Sequence, residues 1–466
     1  MVLNRVLDPL EFGLYGASSI IISIAKMLSD AGISTALVQK NKLTDSFRDS
    51  AFLLIIIFFG GSSIIIFFCS PLIASFYDEP KIILVIRYLI ISFFFEGISS
   101  IYKALLLRKF EYKKIRLINL VSVGIGMLII SIPLALNGFG IWSIVIGQVF
   151  TSITSLSMSL YFSNYKFGIK YKLNDFRDII QFTGGLTLAR IFSHLYTHAD
   201  KPILGNSINL IVLGYFEQMY KIVILFTSQI GYVVDSILFP LMSRLNHDEK
   251  KAKNSYLKVF DLVVIVGGLF SFIAPIFSYE ISFIILGDNW KGYNDVLTLL
   301  LLLPLPRLLS RTADSILRSY AKVYTIAKIK FFSAILSIVL IYHTCEFGLI
   351  FVSLSYLAST VMTSIISHII ISKILKVNPF FLLKLAFITI IKIILVLSPI
   401  WILDLYKLYL NFNIFFIFIF KLTYLSILSL LFLKKYRKFF GTDFSIFIND
   451  LIKRFNFNNV KIDTYE

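Results

Sequence analysis

The chain has 466 residues, of which 57% are hydrophobic and only 15% charged, and its mean hydropathy is +0.83. A soluble domain carries about 25% charged residues, so this composition excludes a string of soluble domains and points to a polytopic membrane protein. A formal net charge of +18 would suggest nucleic acid in a soluble protein, but in a chain this apolar it fits basic loops facing anionic headgroups, and no nucleic-acid partner is expected.

In chain order, MVLNRVLDPLEFG at the start has no apolar core of a cleavable signal. Thirteen apolar windows of about 20 residues follow, at 12–29, 51–77, 82–102, 117–137, 140–163, 179–200, 210–241, 259–279, 294–317, 325–344, 348–372, 383–404 and 412–433. The connections are short, and none could hold a soluble catalytic domain. Basic residues alternate between them. Lys26, Lys40, Lys42 and Arg48 precede a loop with Lys81 alone; Lys103, Arg108, Lys109, Lys113, Lys114 and Arg116 precede 137–141, which has none. The alternation persists to Lys434, Lys435, Arg437 and Lys438, which predicts that the rich loops and the C-terminus are cytoplasmic. Beyond the last window, Phe444, Phe447, Ile448, Leu451, Ile452 and Phe455 share one helical face, as in a helix lying on the inner membrane surface. Cys69 and Cys345 form no disulfide or zinc framework.

Three marks repeat in order. Gly13 and Gly214 open the first and seventh windows 201 positions apart, Pro71 and Pro275 stand 204 apart, and Phe139-Gly140 and Phe347-Gly348 stand 208 apart. They predict two related halves in the same orientation, as in transporters built from parallel repeats. The first half then has five windows and the second six, so one span before Arg5 is expected to be missing, through truncation, a late start or loss.

Several segments resemble a known family. Arg5-Val6-Leu7-Asp8-Pro9-Leu10-Glu11-Phe12-Gly13 resembles the "A-R-x-L-x-P-x-x-F-G" joining the first two helices of Wzx-type polysaccharide flippases. The run 30–39, DAGISTALVQ, is similar to their "D-x-G-x-x-x-A-L-I-Q". Asp200-Lys201-Pro202, Leu213-Gly214-Tyr215, Phe239-Pro240-Leu241-Met242 and Leu286-Gly287-Asp288-Asn289-Trp290 continue the likeness in order. The resemblance implies the multidrug/oligosaccharidyl-lipid/polysaccharide exporter superfamily: an all-α polytopic fold of two six-helix lobes related by a parallel repeat plus two C-terminal helices, here about 13 transmembrane helices. The corresponding domains are 1–178, 179–378, 379–434 and a basic, amphipathic tail at 435–466. The implied activity is flipping undecaprenyl-diphosphate-linked oligosaccharide across the bacterial cytoplasmic membrane for O-antigen, capsule or exopolysaccharide. The implied partners are that lipid, membrane lipids and other polysaccharide-assembly proteins such as a polymerase.

Candidate site residues are the ionisable groups inside windows, where burial in lipid costs a few kcal/mol each. Arg190, His194, His198 and Lys201 are spaced four, four and three apart, and so are expected on one face as a basic stripe. A diphosphate would use Arg as a fork and Lys as a point charge; alternatively Lys201 marks the interface and snorkels. His194 and His198 at i, i+4 lack an HExxH pattern, so a pH-sensitive surface or a hydrogen-bonded pair is expected, not a metal. Arg307, Arg311, Asp314 and Arg318 form a second face, with Asp314 expected to pair with Arg311 or Arg318. Arg87 is a further cavity candidate, Glu96 and Asp314 are ion-coupling candidates, and Lys26 and Lys221 are placed at a cavity mouth or interface. No Walker motif or enzyme signature is present, so neither a cofactor nor catalysis is expected. The rival readings are a cation-coupled drug antiporter of the same superfamily, a membrane polymerase or ligase of the same pathway, and a truncated, inactive remnant.

Overall fold

A computed structural model describes residues 2–405 and 417–426, apart from positions 31, 41, 166, 169, 199 and 246. The described residues are helical, with no strand among them. After the short α1 (Val2–Val6), α2 (Pro9–Asp30) and α3 (Ile33–Gln39) make one span, followed by α4 (Asp45–Phe76) and α5 (Lys81–Arg108). α6 (Tyr112–Val123) continues through a π segment (Gly124–Ser131) into α7 (Ile132–Leu136), and α8 (Ile141–Ser163) completes this set. Next come α9 (Leu173–His198), α10 (Asp200–Ser207), α11 (Leu210–Leu245) and α12 (Glu249–Ile273). The α12 span runs on through a 3₁₀ turn (Ala274–Phe277), α13 (Ser278–Ile281) and a π turn (Ser282–Leu286). Then follow α14 (Asn294–Leu300), α15 (Pro304–Ser319), α16 (Val323–Thr344), α17 (Leu349–Ile374), α18 (Pro379–Leu405) and α19 (Ile417–Ser426).

Among the described residues, 11 helical stretches are long and apolar enough to cross a membrane, and each falls on one of the expected windows. The chain is an all-α polytopic membrane protein. The window at 179–200 is also helical, in the 26-residue α9, but its polar stripe keeps it less apolar than those eleven. Arg190, His194 and His198 lie in α9 and Lys201 in α10, and position 199 between the two lies outside the described residues. The last window is described only over 417–426, and the tail helix expected near 444–455 lies outside the described residues.

Local chemistry sets several ends. Thr44 caps α4, accepting from the Phe47 amide at 3.2 Å. Asp248 caps α12, accepting from the Lys251 amide at 3.0 Å; that backbone bond, with Lys251's side chain, holds its carboxyl below its ordinary value. Large apolar side chains such as Phe68, Leu120 and Leu395 point outward, as suits a surface that meets lipid. Inside, small polar residues allow close approach: Ser99 of α5 bonds Ser155 and Ser159 of α8 at 3.0 and 3.1 Å.

The chain forms two compact units. The first holds residues up to Lys221, with Ser282–Val296 and Val323–Ser359; the second holds Ile222–Ile281, Leu297–Lys322 and the chain from Thr360. In the first, α5 packs on α2, α4 and α8, and α9 packs on α16. In the second, α12 packs on α15 and α18.

The sequence-matched glycines meet in the first unit. A Cβ on Gly13 would overlap the Leu210 carbonyl, lying 2.7 Å from its carbon. A Cβ on Gly214 would lie 2.9 Å from both the Pro9 carbonyl carbon and the Gly13 nitrogen. α2 and α11 therefore cross backbone to backbone, which only glycine at both positions permits. Trp290 seals this crossing. It is fully buried, stands edge-on to Phe12 and Tyr215 at 5.6 and 5.2 Å, and donates its indole N–H to the Asn4 carbonyl at 2.7 Å.

Candidate functional site

In the first unit, α2, α9, α10 and α11 bring the ionisable residues together. Lys201 and Glu217 are 7% and 3% exposed and form an ion pair. The Glu217 chain packs on Gly16 of α2, where a Cβ would lie 3.3 Å from its Cγ. Covering two ions is tolerable only because each compensates the other. Lys201 therefore faces Glu217, a partner that neither the cavity reading nor the interface reading of this lysine had named. His194 is partly buried, with Nε2 3.1 Å from Ser23 Oγ, and its ring stands 4.4 Å from that of His198. No group of three metal-ligating side chains occurs among the described residues. Arg190 lies in α9, and only its backbone is described. Glu96 pairs with Lys26 of α2, both half-exposed. Arg87 donates to Ser70 Oγ at 3.3 Å and lies 4.2 Å over the Phe67 ring, bridging α5 to α4.

A cavity of about 520 Å³ lies beside these pairs, lined by Phe12, Tyr15, Ile132, Ile144, Gln218 and Lys221 among others. Its walls are mostly apolar, with polar groups converging from α2 and α11. Gln218 is 6% exposed, and its Nε2 has no hydrogen-bond partner among the described residues. Lys221 is exposed, with Nζ 5.9 Å from the Tyr15 ring centroid. It has no ion pair among the described residues. At 1.5 Å per residue it sits about 17 Å along α11 from Leu210, well inside the span. An ammonium there must face water or an anion.

In the second unit, Arg311 donates Nε to Asp235 Oδ2 at 2.6 Å. Arg318 donates Nη2 to Asp235 Oδ1 at 3.3 Å and Nε to the Asp314 carbonyl at 3.3 Å. The acid that receives both arginines is thus Asp235 of α11, where sequence spacing had pointed to Asp314. Arg307 and Asp314 are partly buried on the same helix, α15. A further pair, Glu280 and Lys421, is buried at 2.8 Å, and Lys421 also donates to the Ile276 carbonyl at 2.7 Å. Glu217, Asp235 and Glu280 were missed as sites, although Glu217 and Asp235 are acids inside the 210–241 window and Glu280 directly follows the 259–279 window, so each is a costly residue with a partner to be found.

This is the chemistry of a membrane protein that handles charge within its spans. A family described as "Polysaccharide biosynthesis protein" matches residues 2–295, more than half of the chain. The chain belongs to this family. Among curated relatives, it is 23% identical over 380 residues to the lipopolysaccharide biosynthesis protein WzxC of Escherichia coli K12, covering 80% of this chain and 76% of that one. It is 22% identical over 299 residues to the teichuronic acid biosynthesis protein TuaB of Bacillus subtilis strain 168, covering 63% and 61%. Among solved structures, the lipid II flippase MurJ in an inward closed conformation superposes with TM-score 0.73 at 13% identity, covering 97% of this chain and 95% of MurJ. A multidrug resistance MATE family transporter of the MOP superfamily superposes with TM-score 0.64 at 14% identity, covering 80% and 94%. At these identities the structures establish a shared fold for this member of the polysaccharide biosynthesis family.

Proposed function

We propose that this protein flips an undecaprenyl-diphosphate-linked oligosaccharide across the bacterial cytoplasmic membrane, by alternating access, for surface polysaccharide synthesis. The reading is transport, not catalysis. Lys221 carries it: a lysine without a described ion partner, deep in a span, on a cavity that also presents the unpartnered amide of Gln218. A diphosphate supplies the negative charge that such a group lacks, and the apolar walls suit the lipid to which it is attached. Membership of the polysaccharide biosynthesis family, and relatives named for lipopolysaccharide and teichuronic acid synthesis, support the same substrate class. A drug antiporter would present an acid to a cationic drug, whereas Lys221 presents a cation.

The alternation of basic loops supports a cytoplasmic C-terminus and the repeated marks support two related halves, 1–178 and 179–378, followed by a final pair at 379–434. Transport is tested in proteoliposomes holding the full chain and a fluorescent lipid-linked oligosaccharide diphosphate. Quencher-accessible probe in the outer leaflet should report translocation by the natural chain, and Lys221→Ala should slow it about tenfold or more. Equal rates for the two proteins and for protein-free vesicles would sink the proposal.

A further inference from the structure

The second unit contains an arginine held in a way that an ordinary helix-to-helix ion pair does not require. The Arg311 side chain fills the space beside Gly231 of α11: a Cβ there would meet Nη1 and lie 2.7 Å from Arg311 Cδ and 2.8 Å from Cζ. One turn further on, Asp235 receives its Nε at 2.6 Å. Gly231 supplies the slot and Asp235 the anchor, both from the same helix face. The terminal nitrogens of Arg311 have no partner among the described residues, and the side chain is 35% exposed. Asp235 is shared with Arg318, so these three residues keep one net positive charge.

We infer that Gly231 and Asp235 are positioning residues that aim the terminal edge of Arg311 at a phosphate oxygen of a lipid-linked diphosphate. The inference rests on the transport reading above and concerns the second unit by itself. A guanidinium offers five donors in a rigid fork. Engaging Nε fixes the plane of that fork and leaves its far edge set for a second acceptor. An unfixed arginine would lose side-chain entropy on binding; this one has already lost it in the folded protein. Asp235 also removes one of two neighbouring positive charges, so the edge attracts an anion without the two arginines repelling each other.

The test uses the full chain in nanodiscs and reads binding, not translocation. The probes are undecaprenyl diphosphate, undecaprenol and phosphatidylglycerol, with inorganic pyrophosphate as a soluble competitor. Asp235→Asn and Gly231→Ala should each weaken undecaprenyl diphosphate binding about tenfold and leave undecaprenol unchanged. Asp235→Glu should restore binding, and Arg311→Lys, which keeps the charge but not the edge, should not. Competition by pyrophosphate but not by phosphatidylglycerol would assign the edge to the diphosphate; equal competition by phosphatidylglycerol would assign it to bulk headgroups and overturn the inference. Gly231→Ala changes no charge, so it keeps the test decisive if Asp235→Asn does not fold. Folded variants that bind undecaprenyl diphosphate like the natural chain would refute the positioning role. A wild-type protein that binds the diphosphate through this edge but does not flip it would refute the transport reading and leave the edge standing.

Discussion

Lys201 and Lys221 are both lysines set in helices of the first unit, and both have Glu217 nearby in the sequence. Lys201 is buried and paired with Glu217. Lys221 shares α11 with that acid, one turn further on, yet is exposed on the cavity without an ion pair among the described residues. The difference lies in what surrounds each ammonium. Glu217 is pressed against Gly16 and turned toward α10, so its charge is spent inside the packing. Lys221 is left to the cavity. Within a membrane, an ion that is paired and covered belongs to the architecture, and an ion that is open and unanswered is available to a ligand.

That contrast can be broken at its paired member. Glu217→Ala should strand the buried Lys201 and destabilise the protein by about 3–5 kcal/mol, the range for breaking a buried pair. Thermal unfolding of the purified protein checks it, and a loss below 1 kcal/mol would mean the pair is solvated. Lys221→Ala sharpens the other side: transport should fall while thermal unfolding stays within about 0.5 kcal/mol of the natural chain, as for a substitution that breaks no ion pair among the described residues. The half-exposed Lys26–Glu96 pair falls between. Glu96→Gln should cost about 1 kcal/mol or less, because solvent screens it; a loss as large as that of Glu217→Ala would erase the distinction between covered and open pairs. The smallest effect concerns no ion at all. Thr44→Ala, which removes the cap of α4, should cost about 1 kcal/mol, measurable by the same unfolding assay.

The spans were legible because hydropathy is local: twenty neighbouring residues decide whether a segment enters lipid. The windows at 51–77, 210–241 and 348–372 reappear as α4, α11 and α17 with shifted ends. The site was harder for a physical reason. Helical spacing reports which residues share a face, so it placed Arg307 and Arg311 together, but it says nothing about the helix opposite. The acid facing Arg311 stands 76 positions away, and the one facing Lys201 is on a different helix. Asp314 was the natural partner within reach along the chain, and Asp235 the partner across the fold.

The crossing of α2 and α11 at Gly13 and Gly214 has a consequence for how the sequence can vary. In most packed cores, an enlarged residue on one side can be answered by a smaller one opposite. Here both positions already hold the smallest residue there is, and each meets main chain instead of a side chain that could shorten. No second-site side-chain change can therefore repair a substitution at either glycine; only displacement of a whole helix can. A crossing of this kind permits no gradual drift: its two glycines are kept together, or the helices part.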